Sequence, residues 1–376
     1  MNIHPSATAR LAVSLAPMLF AATVAQAQPM PAPSGMSPTE SPPALAPMAG
    51  AAEGAKAAPD MQAVLDAQQG LGAKPIEKLS PAEARRQPSP ADGVKVVMKN
   101  RGMNTAPDPA VATQDQSYGP DPMQKVRIYK PVAAKSAKGL PVIVYFHGGG
   151  WVIADLATYD ATPRLLSKQL DAVVVSVEYR HAPEAKFPAQ HEDAAAAYSW
   201  TLKNAAALGG DPAHLALAGE SAGGNLAVAT AIYARDNNLP LPRHILAVYP
   251  IANSSPDLAS RKDSGAAKPL NEPMLRWFTH YYIRSPNDPQ DPRLNLVAAN
   301  LKGLPPTTIV NAQIDPLRSD GETLAAAMRA AGVQVAQRTF AGVTHEFFGM
   351  GKVVGGALDA ENYAVGRLKP ALTGSQ

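Results

Sequence analysis

The chain has 376 residues, of which 46% are hydrophobic and 17% charged, enough for one large α/β domain or two small ones. The net charge is only +3 and the Lys and Arg residues are scattered, so a nucleic-acid partner is not expected. There is no Cys, which excludes disulfide bonds, thiolate metal sites and a cysteine nucleophile.

The first 27 residues have the pattern of an export signal. Arg10 precedes the apolar run Leu11–Ala25, and the Ala-Gln-Ala sequence that ends at Ala27 has the small residues of a cleavage site. The run is too short for a membrane anchor and is interrupted by Pro17. We therefore predict a signal peptide over residues 1–27, a periplasmic or secreted protein, and no stable membrane span once the signal is removed.

Two segments of different character follow. Residues 28–59 are rich in Pro, Ala, Met and Ser without hydrophobic periodicity, which predicts a disordered linker. Residues 60–90 carry two short amphipathic patterns, which predict N-terminal helices. The second pattern opens with Ser80 as a candidate N-cap and has Glu83 at the third helical position, as in a capping box.

Strands and helices alternate over residues 91–376. Short apolar or β-branched runs predict eight strands: Val94–Met98, Lys125–Tyr129, Val142–Phe146, Ala172–Glu178, Leu215–Ala218, Ile245–Tyr249, Thr307–Asn311 and Val333–Arg338. Helical patterns lie at Ala189–Leu208, Ala222–Asp236, Gly321–Ala331 and near Leu358–Leu372. This alternation predicts an α/β fold with a mostly parallel eight-stranded sheet and helices on both faces. Residues 253–304 exceed a plain crossover and predict an insertion over the sheet edge, with a possible helix at Met274–Ile283.

The segment LALAGESAGGNLA, residues 215–227, is the strongest local signal. An apolar strand runs into Gly219-Glu220-Ser221-Ala222-Gly223, and an Ala-rich helix follows at once. This Gly-x-Ser-x-Gly pattern predicts a sharp turn that presents Ser221 at the end of the strand, with Gly219 and Gly223 removing Cβ atoms that would clash. We predict that Ser221 is a nucleophile.

A serine nucleophile needs a base, and the base needs an orienting acid. Where a serine occupies such a turn, the acid and the histidine follow it in the chain. Of the three histidines after Ser221, His345 lies in the loop after the last predicted strand, which suits the base. Asp315 follows the strand Thr307–Asn311 and is the predicted acid, whereas Asp320 is interpreted as the N-cap of the next helix.

The stretch FHGGGW, residues 146–151, follows a predicted buried strand with three consecutive glycines. Acyl transfer places negative charge on the former carbonyl oxygen, and fixed N–H donors must stabilise it. Glycines let the backbone approach a substrate closely, so we predict the amides of Gly148, Gly149 and Ala222 as donors. Gly150 and His147 are assigned supporting roles, with His147 as a hydrogen-bonding strut for the loop.

Other types of site do not match the sequence. His191-Glu192-Asp193 lacks the second histidine of a zinc-binding HExxH motif, as does the segment after His345, so no metal is predicted. The glycines of residues 148–150 lack a phosphate-loop lysine and the spacing of a dinucleotide fingerprint. The aromatic residues of residues 277–282 are interpreted as the core of the insertion.

From about Met61 to the C-terminus, the chain resembles the hormone-sensitive-lipase family of α/β-hydrolases. The segments that carry the resemblance are His147–Trp151, Gly219–Gly223, Tyr179–Glu184 (YRHAPE), Gly303–Val310, Asp315–Arg318 and His345–Phe347. Three positions depart from the family pattern. Glu346 replaces a common glycine, His181 replaces a leucine, and the segment 291–296 lacks the usual Ser-Pro.

The resemblance implies a cap formed by the N-terminal helices and the insertion. It also implies small-molecule esters with short to medium acyl chains as substrates and no cofactor, and we expect a monomer or homodimer. Two alternatives stay open: an exported deacetylase or lactonase for a polymer or natural-product ester, and a ligand-binding protein without catalysis on the same fold.

Overall fold

The computed structural model of the chain describes residues 54–134 and 139–374. The predicted signal peptide and residues 28–53 of the predicted linker therefore lie outside the described residues. Among the described helices, none combines the length and the apolar sequence needed to cross a membrane.

One eight-stranded sheet organises the described residues, with strand order β1-β2-β4-β3-β5-β6-β7-β8. Its strands are β1 Val111–Ser117, β2 Lys125–Pro131, β3 Leu140–Phe146, β4 Val173–Val177, β5 Gly210–Glu220, β6 Ile245–Val248, β7 Thr307–Ile314 and β8 Val335–Thr344. Strand β2 is antiparallel to both its neighbours, β1 and β4, and the pairs from β4 through β3 to β8 are parallel. The predicted mostly parallel sheet is thus confirmed.

Helices cover both faces of this sheet. They are α1 Pro59–Gly70, α2 Pro81–Ala84, α3 Pro90–Asn100, α4 Ala161–Leu170, α5 Ala189–Asn204, α6 Ala222–Asp236, α7 Ala259–Asp263, α8 Glu272–Tyr282, α9 Arg318–Ala330 and α10 Gly355–Thr373. Alternate residues of β3 enter two separate apolar cores, Val142 and Val144 on one face and Ile143 and Tyr145 on the other. This division follows from the two-residue period of a strand. Helices α5, α6 and α9 contribute to the first core, and α1, α3, α4 and α10 to the second.

One predicted strand is wrong and another strand was missed. Val94–Met98 lies inside helix α3, which begins after a capping box between Ser89 and Asp92 with Pro90 in the first turn. The β-branched run Val94–Met98 favours a strand by composition, but the capping box and Pro90 start a helix that includes it. The missing strand is β1, whose sequence VATQDQS is polar and largely exposed because β1 is an edge strand paired on one side only.

Two separate parts of the chain meet beside the carboxyl ends of the parallel strands. The N-terminal helices include α2, whose predicted capping box between Ser80 and Glu83 is present. The insertion contains α7 and α8, and the indole nitrogen of Trp277 on α8 donates a hydrogen bond to the carbonyl of Leu79 at 2.9 Å. The two predicted parts of a cap are therefore joined to each other.

Candidate active site

Ser221 occupies a sharp turn between β5 and α6. Its φ is +57°, a conformation that residues with a side chain rarely adopt. A Cβ added at Gly219 would lie 2.1 Å from the carbonyl oxygen of Gly223. One added at Gly223 would lie 2.0 Å from the carbonyl oxygen of Phe146. Gly219 is thus required within the turn itself, and Gly223 is required for the turn to pack against the end of β3.

Ser221, His345 and Asp315 form one hydrogen-bonded series of side chains. Nε2 of His345 lies 3.0 Å from Oγ of Ser221, and Nδ1 lies 2.7 Å from Oδ2 of Asp315. The other carboxylate oxygen of Asp315 accepts the amide of Leu317 at 2.8 Å, which fixes the carboxylate. The arrangement is that of a nucleophile, a base and an orienting acid.

The sheet explains why these three residues meet. Ser221 directly follows the last residue of β5, Asp315 that of β7 and His345 that of β8. These strands are parallel, so their carboxyl ends lie at one edge of the sheet, where α/β proteins bind ligands. All three side chains are buried beneath the cap, with exposed fractions of 4% or less.

Asp315 sets the protonation behaviour of His345. Burial alone would lower the pKa of the imidazole, but the charge and hydrogen bond of Asp315, with a smaller contribution from Glu346, raise it above its ordinary value. A base with a raised pKa accepts a proton more readily, and Asp315 stabilises the charged imidazolium that results.

Asp320, the competing acid, has another structural role than the N-cap assigned to it. Helix α9 begins at Arg318, so Asp320 lies within its first turn. Its buried carboxylate accepts the amides of Ala252 and Asn253 at 3.1 Å and pairs with Arg261 at 2.9 Å. Asp320 therefore anchors the start of the insertion to α9, and the prediction that it caps the helix is wrong.

The glycine loop after β3 lies against the turn that carries Ser221. Gly149 and Gly150 have φ values of +92° and +57°. An added Cβ at Gly148 would lie 3.1 Å from the carbonyl oxygen of Glu220, the residue before Ser221. Within residues 54–134 and 139–374, the amides of Gly148, Gly149 and Ala222 donate to no other group. They are thus free to donate to a substrate oxygen, and their oxyanion role stays a prediction.

His147 supports this loop through buried hydrogen bonds. Its Nδ1 lies 2.8 Å from the carbonyl oxygen of Gly148, its Nε2 lies 3.3 Å from Oε1 of Glu178, and its ring stacks on Tyr179. Burial opposes protonation, but the charge of Glu178 outweighs it and raises the pKa of His147. The strut interpretation of His147 agrees with these contacts.

His181, one of the departures from the family pattern, joins the same cluster. Its Nε2 lies 3.1 Å from Oε1 of Glu178. Burial would raise the pKa of Glu178, but His147 and His181 together lower it to about 2. The three ligand-type atoms lie within 4.8 Å of one another, a spacing that would admit a metal ion. The absence of a metal stays a prediction.

A cavity of about 340 Å³ opens over Ser221 and His345. The cap supplies most of its wall, with Leu65 and Ile76 from the N-terminal part and Leu270, Met274, Leu275 and Phe278 from the insertion. These six side chains are apolar, and charged side chains such as Lys74 and Arg85 line another part of the wall. The predicted cap therefore borders a small cavity with a large apolar share above the predicted nucleophile.

Sequence reasoning missed two aromatic residues at this cavity. Phe278 was interpreted as core of the insertion, yet it lines the cavity, and an added Cβ at Gly150 would lie 2.3 Å from its ring. The four-residue spacing of Met274 and Phe278 on α8 could have indicated a common face toward the cavity. Tyr159 donates its hydroxyl to Glu346 at 2.6 and 2.7 Å and also lines the cavity, and no sequence signal pointed to it.

Comparison with family models and curated proteins gives consistent matches. Residues 143–349 match a family model described as alpha/beta hydrolase fold. The carboxylesterase NlhH of Mycobacterium tuberculosis is 36% identical over 291 residues, which cover 75% of this chain and 91% of that protein. The ethyl acetate hydrolase of Pseudomonas putida is 32% identical over 282 residues, which cover 74% of this chain and 87% of that protein.

Solved structures of esterases also match this chain. A hyperthermophilic esterase from the archaeon Pyrobaculum calidifontis matches with a TM-score of 0.74 and 30% identity, covering 84% of this chain and 98% of that one. The thermostable carboxylesterase EstE1, cloned from a metagenomic library, matches with a TM-score of 0.71 and 35% identity, covering 78% of this chain and 98% of that one.

Proposed function

The chain belongs to the hormone-sensitive-lipase family of α/β-hydrolases and is a carboxylic ester hydrolase, and we propose that it acts on short- to medium-chain esters through an acyl-enzyme on Ser221. The observation that carries this proposal is the series Ser221–His345–Asp315, with separations of 3.0 and 2.7 Å. A serine hydroxyl aligned on a buried imidazole, itself aligned on a carboxylate, is the arrangement that nucleophilic acyl transfer requires.

Each group has one role in the proposed reaction. Ser221 Oγ attacks the ester carbonyl while His345 Nε2 removes its proton, and the amides of Gly148, Gly149 and Ala222 bind the oxyanion. His345 then gives the proton to the departing alcohol, which leaves the acyl group on Ser221. His345 then takes a proton from water, which attacks the acyl carbonyl, and returns that proton to Ser221 Oγ as the carboxylic acid leaves. Asp315 holds the imidazole in position throughout.

The cavity supports the proposed chain length. Its volume of about 340 Å³ is near the lower end of ligand-sized cavities, roughly 300–1,000 Å³. Apolar side chains such as Leu65, Leu270 and Met274 line it, so an alkyl acyl chain of modest length would be buried favourably.

The test is hydrolysis of p-nitrophenyl esters from acetate to palmitate by wild type, Ser221→Ala and His345→Ala. We expect a maximum at short to medium chains and loss of nearly all activity in both variants. A maximum at palmitate would overturn the proposed chain length, and activity retained in Ser221→Ala would overturn the proposed nucleophile.

We also propose that the protein is exported. The basis is the predicted signal peptide, residues 1–27. Expression of the full chain with its natural N-terminus, followed by mass spectrometry of the protein outside the cytoplasm, should yield a chain that begins at Gln28. Recovery of the uncleaved chain in the cytoplasm alone would contradict this proposal.

A further inference from the structure

A carboxylate lies in the cavity beside the predicted base. Glu346 follows His345 directly and lines the same cavity as Ser221 and Gly149. Its φ is +69°, a conformation that favours glycine, so a glutamate at this position is strained. Such strain is typical of residues retained for function, and the chemical feature that Glu346 adds here is a negative charge.

This charge is not neutralised by a fixed cation. Tyr159 donates its hydroxyl to the carboxylate, and the nearest basic nitrogen is Nε2 of His345, 3.9 Å from Oε1. Lys74, Arg85 and Lys268 also line the cavity, yet no Lys or Arg nitrogen of the described residues lies within 4.0 Å of this carboxylate. A substrate could therefore supply the missing positive charge.

The position of Glu346 indicates which part of an ester it would face. In the proposed reaction Nε2 of His345 delivers a proton to the departing alcohol, so the alcohol oxygen must lie against Nε2. Oε1 of Glu346 is 3.9 Å from this same nitrogen. Glu346 thus lies beside the alcohol portion of the ester, and a cationic group two carbons from the ester oxygen would come within a few Å of the carboxylate.

We propose that the preferred substrates are esters of cationic amino alcohols, with the ammonium group held by Glu346. This inference rests on the proposed function, since it needs His345 to act as the base. Opposite charges a few Å apart in a partly buried cavity attract strongly, and a preference of about tenfold or more over a neutral ester of equal shape is expected. Tyr159 keeps the carboxylate in place, so little ordering is required when the substrate binds.

The test compares two acetate esters of the same shape, 2-(trimethylammonio)ethyl acetate and 3,3-dimethylbutyl acetate. Their kcat/KM values are each divided by the rate of hydrolysis in hydroxide, which corrects for the better leaving group of the cationic ester. Wild type should prefer the cationic ester at least tenfold, and the preference should decline as salt is added. In Glu346→Gln the corrected ratio should fall to about one.

Two further variants make the comparison decisive. Glu346→Gly suits the backbone conformation and should also abolish the preference, which covers the case that Gln is poorly tolerated. Glu361→Gln removes a buried carboxylate on α10 that does not line the cavity, and it should keep the wild-type ratio. The ratio is read within each variant, so a change in overall rate does not affect it.

The outcomes separate this inference from the proposed function. A wild-type ratio near one, a preference that persists in Glu346→Gln, or no hydrolysis of the cationic ester would overturn the inference while leaving the acyl-enzyme mechanism intact. Hydrolysis of either ester by Ser221→Ala would instead overturn the proposed function itself.

Discussion

Asp315 and Asp320 show how two buried carboxylates five residues apart acquire different roles. Asp315 follows a strand and accepts hydrogen bonds from His345 and the Leu317 amide. Asp320 lies inside a helix, and burial raises its pKa to about 6 although Arg261 opposes the shift. Neighbouring residues, rather than residue type, decide which carboxylate orients the base.

The first prediction concerns Asp315→Asn. In the proposed mechanism neutral His345 is the base, so wild-type kcat/KM should rise with pH through its raised pKa. Without the carboxylate, burial dominates and the pKa of His345 falls, so the acid limb of the profile should move to lower pH. The maximal rate should drop about 10³–10⁴-fold because the imidazolium is no longer stabilised.

The measurement is kcat/KM for p-nitrophenyl acetate from pH 5 to pH 9. Asp320→Asn is the matched control, since it removes a buried carboxylate that does not contact His345, and it should leave the acid limb in place. An acid limb that stays at the wild-type pH in Asp315→Asn would show that Asp315 does not set the pKa of His345.

The second prediction concerns Glu361→Gln. Burial raises the pKa of Glu361 to about 7, against an ordinary value of about 4.3 in the unfolded chain. Below about pH 4 the carboxyl is protonated in both states. Between about pH 4 and pH 7 only the unfolded chain ionises, so the wild type loses up to about 4 kcal/mol of stability that the variant keeps.

Urea unfolding of both proteins at pH 5 and pH 8 measures this difference. On going from pH 5 to pH 8 the wild type should lose more stability than the variant, because only the wild type has an ionisable group at this position. The hydrogen bond is kept, since Gln can still accept the amide of Gly351, which Glu361 accepts at 2.8 Å. An equal pH dependence in the two proteins would contradict the raised pKa of Glu361.

At the scale of elements, the site depends on how closely the β5–α6 turn approaches the end of β3. Successive parallel strands bring the carboxyl ends of β3 and β5 side by side, and the glycines of the two following turns then meet. Gly223 is pressed against the carbonyls of Phe146 and His147. No side chain fits between these two stretches of backbone.

The third prediction tests this approach with Gly223→Ala. The added Cβ would lie 2.0 Å from the Phe146 carbonyl oxygen, and backbone on both sides cannot move cheaply. We expect a loss of about 2–3 kcal/mol or more in the free energy of unfolding, and loss of most activity because the oxyanion loop is displaced.

The control is Gly366→Ala on α10, where an added Cβ meets no atom within 4 Å. A glycine inside a helix is less favourable than alanine, so this variant should gain about 0.5–1 kcal/mol and keep full activity. Thermal unfolding and p-nitrophenyl acetate hydrolysis measure both effects. Equal stability of the two variants would contradict the close approach of the turns.

At the scale of the whole molecule, the site is completed by parts of the chain that are far apart in sequence. Arg85, at the end of α2, donates to the carbonyls of Val152 and Ala182 at 2.8 Å and pairs with Glu184 at 2.7 Å. Val152 follows the glycine loop, so Arg85 fastens the N-terminal part of the cap to the segment that carries the predicted oxyanion donors.

The fourth prediction is that Arg85→Ala loosens the cap. The cavity wall above the acyl chain should become mobile, so KM for p-nitrophenyl hexanoate should rise several-fold while kcat for the acetate changes less. Arg86→Ala, at the neighbouring exposed residue, is the control and should change neither value. A hexanoate KM unchanged in Arg85→Ala would show that the cap does not need this attachment.

Features that depend on a few adjacent residues could be predicted from the sequence. Strand β3 and the Leu215–Ala218 part of β5 are apolar runs, and the turn at Ser221 requires glycines at fixed offsets. The sequence placed Ser221, Asp315 and His345 each after a predicted strand, and because the carboxyl ends of parallel strands lie at one edge, the three side chains meet there.

Features that depend on contacts between distant residues were decided only by the tertiary structure. Strand β1 is polar and forms because β2 offers it an edge. Asp320 binds a loop 67 and 68 residues before it, and Glu346 bonds with Tyr159, 187 residues away. The local sequence around such a residue carries no record of its partner, because burial and charge arise only when the folded chain brings the two together.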